Sequence, residues 1–405
     1  MTIQGLRTSE NFATNERPEN WRKGLLLLDP NGSAPLTALT SQMKEESVDD
    51  PKFHWWEKRL QTRRIALSAN IAAVASGTPE TLAVTSGAFA FKAGDILVVE
   101  KGMSEVMQVV QDPVVDTGLM VIRGSAGTTP VAVTVASENP YVTCIGSAYE
   151  EASAAPTGVN FDPTEVYNLC EIFRNTLEMS NTAQQTNLRT TEQVKEAKRE
   201  VLQLHGIDME RAFWWGVRNQ TTKNGKPLRF MGGLTSFIDA NNIVNQNGSA
   251  ADMDDLEGWM ERMFRYGSNE KMVFCGNRAL LAVQQIVRKN STFNIQSGLK
   301  EYGMEVTKLF CPFGSLTIKT HPLFNQMASV VGTYYSCDSW FYVLDMSKFT
   351  YVYLRNRDTK YEPNQVENGI DGSKSGWITE CSLRVAHPET HFLIKGLASG
   401  VADSP

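Results

Sequence analysis

His387-Pro-Glu-Thr-His391 is the nearest this chain comes to a metal motif. A zinc protease needs two imidazoles one helical turn apart, with a Glu directly after the first to serve as base. Pro388 fills that place here, and the flanking residues alternate like a strand, so no metal site is expected. His54, His205 and His321 are isolated. Glu150 and Glu151 are neighbours, so their side chains point apart, and nothing completes an acid–base pair. The glycines of Gly118–Thr129 follow a strand, but no Lys-Ser or Lys-Thr comes after them. They suit tight turns and not a phosphate cradle. Nucleophile elbows and dinucleotide fingerprints are absent. Cys144, Cys170, Cys275, Cys311, Cys337 and Cys381 lie far apart with no CxxC pair, as expected of buried, reduced thiols in a cytosolic product. Phe53-His-Trp-Trp56 sets three aromatics in four positions. Anchoring by ring burial explains them, whereas a base-stacking platform would want more positive charge nearby. No catalytic, cofactor-binding or metal-ligating residue is assigned, no cofactor is expected, and no enzyme activity is read.

The elements around these residues carry more information. At 405 residues, with 41% hydrophobic and 21% charged, the chain can build one large or two to three ordinary domains. No run of about 18 apolar residues exists, so no membrane span is expected. Gly24-Leu-Leu-Leu-Leu28 is too short and too late for a secretory signal. The net charge is −6, and residues 66–155 hold nine acids against three bases, which accounts for all of it. Such a segment is expected to face away from polyanions.

Residues 1–60 are polar, punctuated by Pro18, Pro30 and Pro35, and read as an extended arm with a short helix possible in Ala34–Met43. Residues 65–145 read as short strands, including Gly94–Val99, Glu105–Val110 and one from Gly118. Ile145–Gly158 is a small, polar seam. After it, Asp162-Pro-Thr-Glu165 carries helix-start signals, and Val166, Leu169, Cys170, Phe173 and Leu177 suggest a helix. A second apolar stripe from Val194 to Val217 predicts one long helix over 192–219, spanning about 42 Å. A connector from Gly225 to Gly248 follows. Residues 252–345 alternate helix and strand, and 349–397 return to strands.

This order resembles the major capsid proteins of tailed bacteriophages, with the Hong Kong 97-like α+β fold. The stretches that carry the likeness are Ile145-Gly-Ser-Ala-Tyr-Glu-Glu-Ala-Ser153, Met209-Glu-Arg-Ala-Phe-Trp-Trp-Gly216 and Thr317-Ile-Lys-Thr-His-Pro-Leu-Phe324. The resemblance implies an N-arm over 1–60, and an E-loop over 61–158 bearing an inserted β-rich module. It implies a P-domain over 159–235 and 346–405, with a spine helix at 192–219, and an A-domain over 236–345. It also implies pentamers and hexamers that form an icosahedral shell around double-stranded DNA. Scaffolding, decoration and portal proteins would be partners. The protein would reside in the virion after assembly in the bacterial cytoplasm. Residues 146–158 would be the hinge on which the E-loop changes angle, and its protruding strand edges would be satisfied only by neighbours. Some relatives cross-link an E-loop Lys to an Asn. Only Lys92 and Lys101 are offered here, and no cross-link is expected. An encapsulin-type nanocompartment shell, or a tail or baseplate protein, is the alternative.

Overall fold

A computed structural model describes residues 37, 39, 43–138, 140–186, 193–290, 295–301, 304–326 and 337–399. Most of the helix considered for Ala34–Met43 lies outside them. The chain divides into two compact units, one running to Trp55 and resuming at Val166, the other covering Trp56–Glu165. Strands β1 (Lys44–Val48) and β2 (Lys52–Glu57) come first.

The second unit is a six-stranded antiparallel sheet. Its strands are β3 (Arg64–Ala66), β4 (Pro79–Ala83), β5 (Asp95–Val99), β6 (Val106–Val109), β7 (Gly118–Ile122) and β8 (Tyr141–Ser147), in the order β3-β8-β5-β6-β7-β4. Just past β3, Leu67 bridges Val84 beyond β4. The Ser68 N–H donates to Ala83 O at 2.9 Å, and the Thr85 N–H to Ala66 O at 3.0 Å. These bonds join the two outer strands, so the sheet closes as a barrel. The exposed edges expected here are paired within the unit, because closure satisfies both rows of backbone groups. Alternate residues, Leu97 and Val99, Met107 and Val109, Leu119 and Val121, fill the interior.

The first unit resumes with β9 (Thr164–Leu169) and β10 (Glu171–Ser180), where the sequence suggests a helix. β9 pairs with β2. β10 pairs over its whole length with β22 (Gly372–Val385), from Glu171 opposite Cys381 to Ser180 opposite Gly372. Phe173, Asn175, Leu177 and Met179 turn inward while Ile172, Arg174, Thr176 and Glu178 are exposed. That period of two outweighs the helical spacing, because a distant strand supplies ten residues of ladder.

Helices α1 (Asn181–Gln185) and α2 (Gln193–Trp215) follow. α2 is the expected long helix, but it ends four residues early, at about 35 Å. Gly216 stops it. A Cβ there would lie 2.6 Å from Ala212 O and 2.7 Å from Met231 O, and the Gly233 N–H donates to Gly216 O at 2.8 Å. Between these glycines the chain makes a hairpin of β11 (Asn219–Lys223) and β12 (Lys226–Phe230). Next come α3 (Leu234–Phe237), β13 (Ile243–Asn245), β14 (Ala250–Ala251) and α4 (Met253–Met263). α4 opens on a reciprocal cap between Asp252 and Asp255, worth about 1 kcal/mol. The remaining elements are β15 (Glu270–Cys275), α5 (Asn277–Asn290), β16 (Ile295–Glu301), β17 (Met304–Cys311), β18 (Gly314–Thr320), α6 (Pro322–Gln326), β19 (Phe341–Leu344), β20 (Phe349–Leu354), β21 (Lys360–Glu362), β22, β23 (Phe392–Lys395) and β24 (Ala398–Ser399).

Two larger sheets organise this unit. One has the order β1-β20-β22-β10, with β21 on β22. The other is mixed, in the order β13-β23-β19-β15-β18-β17-β16. Val273, Cys275, Ile318, Phe341 and Ile394 send side chains to one core, with α4 and α5. Phe274, Tyr342, Leu344 and Leu393 send theirs to a second core, with Phe213 and Trp214 of α2. Burial on both faces makes β19 apolar at every position.

Candidate functional site

The functional surface is built on α2, which holds the arm at one end of its buried face. Gly206 stands mid-helix because a Cβ there would come within 3.2 Å of Thr37 Cγ2. One turn on, Glu210 is fully buried, and its Oε1 accepts from the Leu39 N–H at 3.1 Å and from Trp214 Nε1 at 3.0 Å. His321 Nε2 lies 3.3 Å from the same oxygen. Trp214 fills the space beside them, with ring centroids 4.9 Å from both Phe324 and Tyr342. His205 secures the helix to the sheet. Its Nδ1 lies 2.7 Å from Asn175 Oδ1 and its Nε2 2.7 Å from Thr379 Oγ1. Burial lowers its pKa, so the ring is neutral, donates to the amide oxygen and accepts from the hydroxyl. With both nitrogens engaged by side chains of β10 and β22, the ring clamps the helix to the sheet.

The two histidines of the 387–391 motif part company. His387 sits in a left-handed conformation at a turn, and His391 is buried behind it. His391 Nδ1 accepts from the Asp345 N–H at 3.3 Å, and burial lowers its pKa to about 3. Beside it, Lys271 is also buried, and its Nζ donates to the carbonyls of Met263, Tyr266 and Thr390 at 2.6, 2.8 and 2.6 Å. Burial lowers this amine to about 8 despite the nearby Asp345 carboxylate. The cluster ties two turns to the start of β15. Among the described residues no group of His, Cys, Asp and Glu could hold a metal.

In the barrel the acidic residues have structural work. Arg123 and Glu105 are fully buried and face each other, with Nε–Oε1 at 2.5 Å and Nη2–Oε2 at 2.8 Å. Arg123 also reaches Glu80 at 2.5 Å and the Val131 carbonyl at 2.9 Å. Glu105 also accepts the N–H groups of Gly124 and Val131. Asp95 pairs with Arg63, Glu100 with Arg64 and Glu138 with Lys101. Arg63 and Arg64 lie just outside the 66–155 window, so two of its six excess negative charges are matched by internal pairs. Glu150 and Glu151 are exposed and apart from any acid–base partner among the described residues. The 146–158 seam is exposed yet partly fastened. Tyr149 Oη donates to Ala93 O at 3.2 Å over Gly94, and Thr157 Oγ1 donates to Asp112 at 2.6 Å. Between these ties it walls a groove of about 630 Å³ against the barrel.

Phe53 and Trp55 are buried on alternate positions of β2, as anchoring requires, while Trp56 is 65% exposed. All six cysteines are free, and burial raises the thiols of Cys170 to about 12 and Cys337 to about 11. Sequence reasoning missed the β11–β12 hairpin, although Asn224-Gly225 between strand-like residues signals one. It also missed Arg123–Glu105 and Lys271, which no local pattern announces.

A family model described as SU10 major capsid protein matches residues 5–398. The chain belongs to the SU10 major capsid protein family. It is 25% identical over 392 residues to the major capsid protein of Pseudomonas phage PaMx41, covering 91% of this chain and 90% of that one. Among solved structures, the capsid of an empty GTA particle aligns with a TM-score of 0.49 at 9% identity, over 94% of this chain and 95% of that chain. A Mycobacterium phage Bobi chain aligns with a TM-score of 0.44 at 10% identity, over 94% and 95%. Family membership makes this chain a phage major capsid protein, a structural subunit that builds the shell of a virion from copies of itself. The Hong Kong 97-like α+β class recognised in the sequence stands with that membership. No helix among the described residues is long and apolar enough to cross a membrane.

Proposed function

We propose that the subunit assembles into pentamers and hexamers that tile an icosahedral head around double-stranded DNA. Residues 1–60 serve as the N-arm and 61–158 as the E-loop, with the barrel as its inserted module. Residues 159–235 with 346–405 form the P-domain around α2, and 236–345 form the A-domain. Scaffolding, decoration and portal proteins are further partners, and assembly takes place in the host bacterial cytoplasm. DNA is held as content without sequence readout, and the chain carries no catalytic role. The family match from 5 to 398 carries this reading, since it takes in arm, barrel, long helix and both large sheets in one stretch. The clasp of Leu39 by Glu210, the pairing of β1 with β20 and the burial of Phe53 and Trp55 support an arm anchored on its own subunit from Leu39 onward. Because Tyr149 and Thr157 fasten the seam to the barrel, hinge freedom is assigned to the irregular residues 158–163. Negative-stain microscopy of the purified protein tests the reading. Closed shells with five- and six-fold capsomers are expected. Tubes or fibres would assign the chain to a tail, and an enzyme cargo inside purified shells would assign it to a nanocompartment.

A further inference from the structure

We propose that the β11–β12 hairpin binds the phosphate backbone of double-stranded DNA, with Lys223 and Lys226 as a paired clamp at its tip. The inference rests on the reading above, because the polyanion is the DNA that the shell encloses. Between Arg211 and Ile238 the chain carries five bases (Arg211, Arg218, Lys223, Lys226 and Arg229) and no acid, within a protein of net charge −6. Every residue of the two strands except Arg229 is exposed, so neither core covers the hairpin. Lys223 and Lys226 make no ion pair with any described residue.

The tip is pre-shaped. Asn224 and Gly225 both have positive φ, 52° and 73°, which makes a two-residue turn matched to the twist of the strands. In this register Lys223 stands directly opposite Lys226, so both ammonium groups leave the same face. Like charges opposed across a ladder are destabilising. An anion held between them converts that repulsion into two charge-assisted bonds. At the base of the hairpin a second positive node continues the surface. Arg218 lies 4.1 Å from the Tyr167 ring centroid, and Lys52 Nζ lies 4.4 Å from the same ring. The six residues Thr221–Lys226 are all polar or glycine. The tip has no apolar side chain to anchor a protein surface, its two ammonium groups suit phosphates, and a two-stranded ribbon fits the major groove of a duplex.

Unassembled subunits titrated with fluorescein-labelled duplex between 50 and 200 mM salt test the site by anisotropy. Each cation that neutralises a phosphate adds about 0.9 to the salt slope, so wild-type affinity should fall about 12-fold further over this range than that of Lys223→Gln/Lys226→Gln. Lys223→Arg/Lys226→Arg should restore the wild-type slope, and Lys58→Gln/Lys360→Gln should leave it unchanged. In wild-type particles, acetylation of Lys223 and Lys226 should be weaker when filled than after the DNA is released. Equal slopes for wild type and the Gln pair, or equal labelling of filled and emptied particles, overturn the proposal. Protection that persists in emptied shells, with loss of assembly in the Gln pair, assigns the hairpin to an acidic surface of a second copy instead. Failure of the wild type to form shells in micrographs overturns the underlying reading, and it is scored separately from the anisotropy.

Discussion

Replacing Arg123 with Met should open the barrel. Arg123 is fully buried and makes bonds to Glu105, Glu80 and the carbonyls of Ala72 and Val131. Methionine fills much of the volume but leaves Glu105 as a buried carboxylate with only two backbone N–H partners. Breaking a buried pair from one side costs about 3–5 kcal/mol. At 1.4 kcal/mol per tenfold, amide exchange in β5, β6 and β7 should quicken between about a hundredfold and a few thousandfold. The assay is hydrogen exchange on the full-length subunit, following strands that carry Leu97, Met107 and Val121. The paired change Arg123→Met/Glu105→Gln should recover at least half of the loss. It removes the buried charge, and the amide oxygen still accepts a backbone N–H. A loss under about 1 kcal/mol in the single variant, or a double variant that is worse by the sum of the two changes, would show that the ion pair does not hold the barrel.

The remaining outcomes concern both units. The unfolded chain protonates His391 near pH 6.5, but the folded one does so only near pH 3. Stability should therefore fall as pH drops through that window, by up to about 1.4 kcal/mol per pH unit, and His391→Asn should flatten this part of a denaturant-midpoint profile. Gly206→Leu should push the arm off α2, because a Cβ alone already meets Thr37 at 3.2 Å. Shell yield should fall although the helix itself gains about 1 kcal/mol in propensity, and a normal yield would contradict the clasp. Val201→Pro, mid-way along α2, should cost about 3 kcal/mol or more and abolish assembly, scored by sedimentation of particles. Lys101 is engaged by Glu138 and the Ala132 carbonyl, so denaturing gels of mature shells should show only a band near 45 kDa. A ladder surviving boiling in reductant would refute this.

Where local pattern and tertiary demand agreed, the sequence was sufficient by itself. The barrel strands at Asp95–Val99 and Gly118–Ile122 are short apolar runs rich in Val, Ile and Leu between turn glycines, and they fold where that pattern puts them. The α4 cap, β20 and the β17–β18 hairpin are equally local. The long helix was legible from its stripe, but its end at Trp215 was not, because it is set by Gly216 and Gly233 meeting across the hairpin base. Residues 164–180 could satisfy either period. Only β22, some two hundred residues away, decides for strand by offering its ladder. Closure of the barrel through Leu67 and Val84 is likewise a long-range event that no window of sequence contains. The charge of residues 66–155 could be counted from the sequence. That Glu105 and Asp95 spend their charge inside, against Arg123 and Arg63, depends on residues brought together only by folding, because ion pairs form through space and not along the chain.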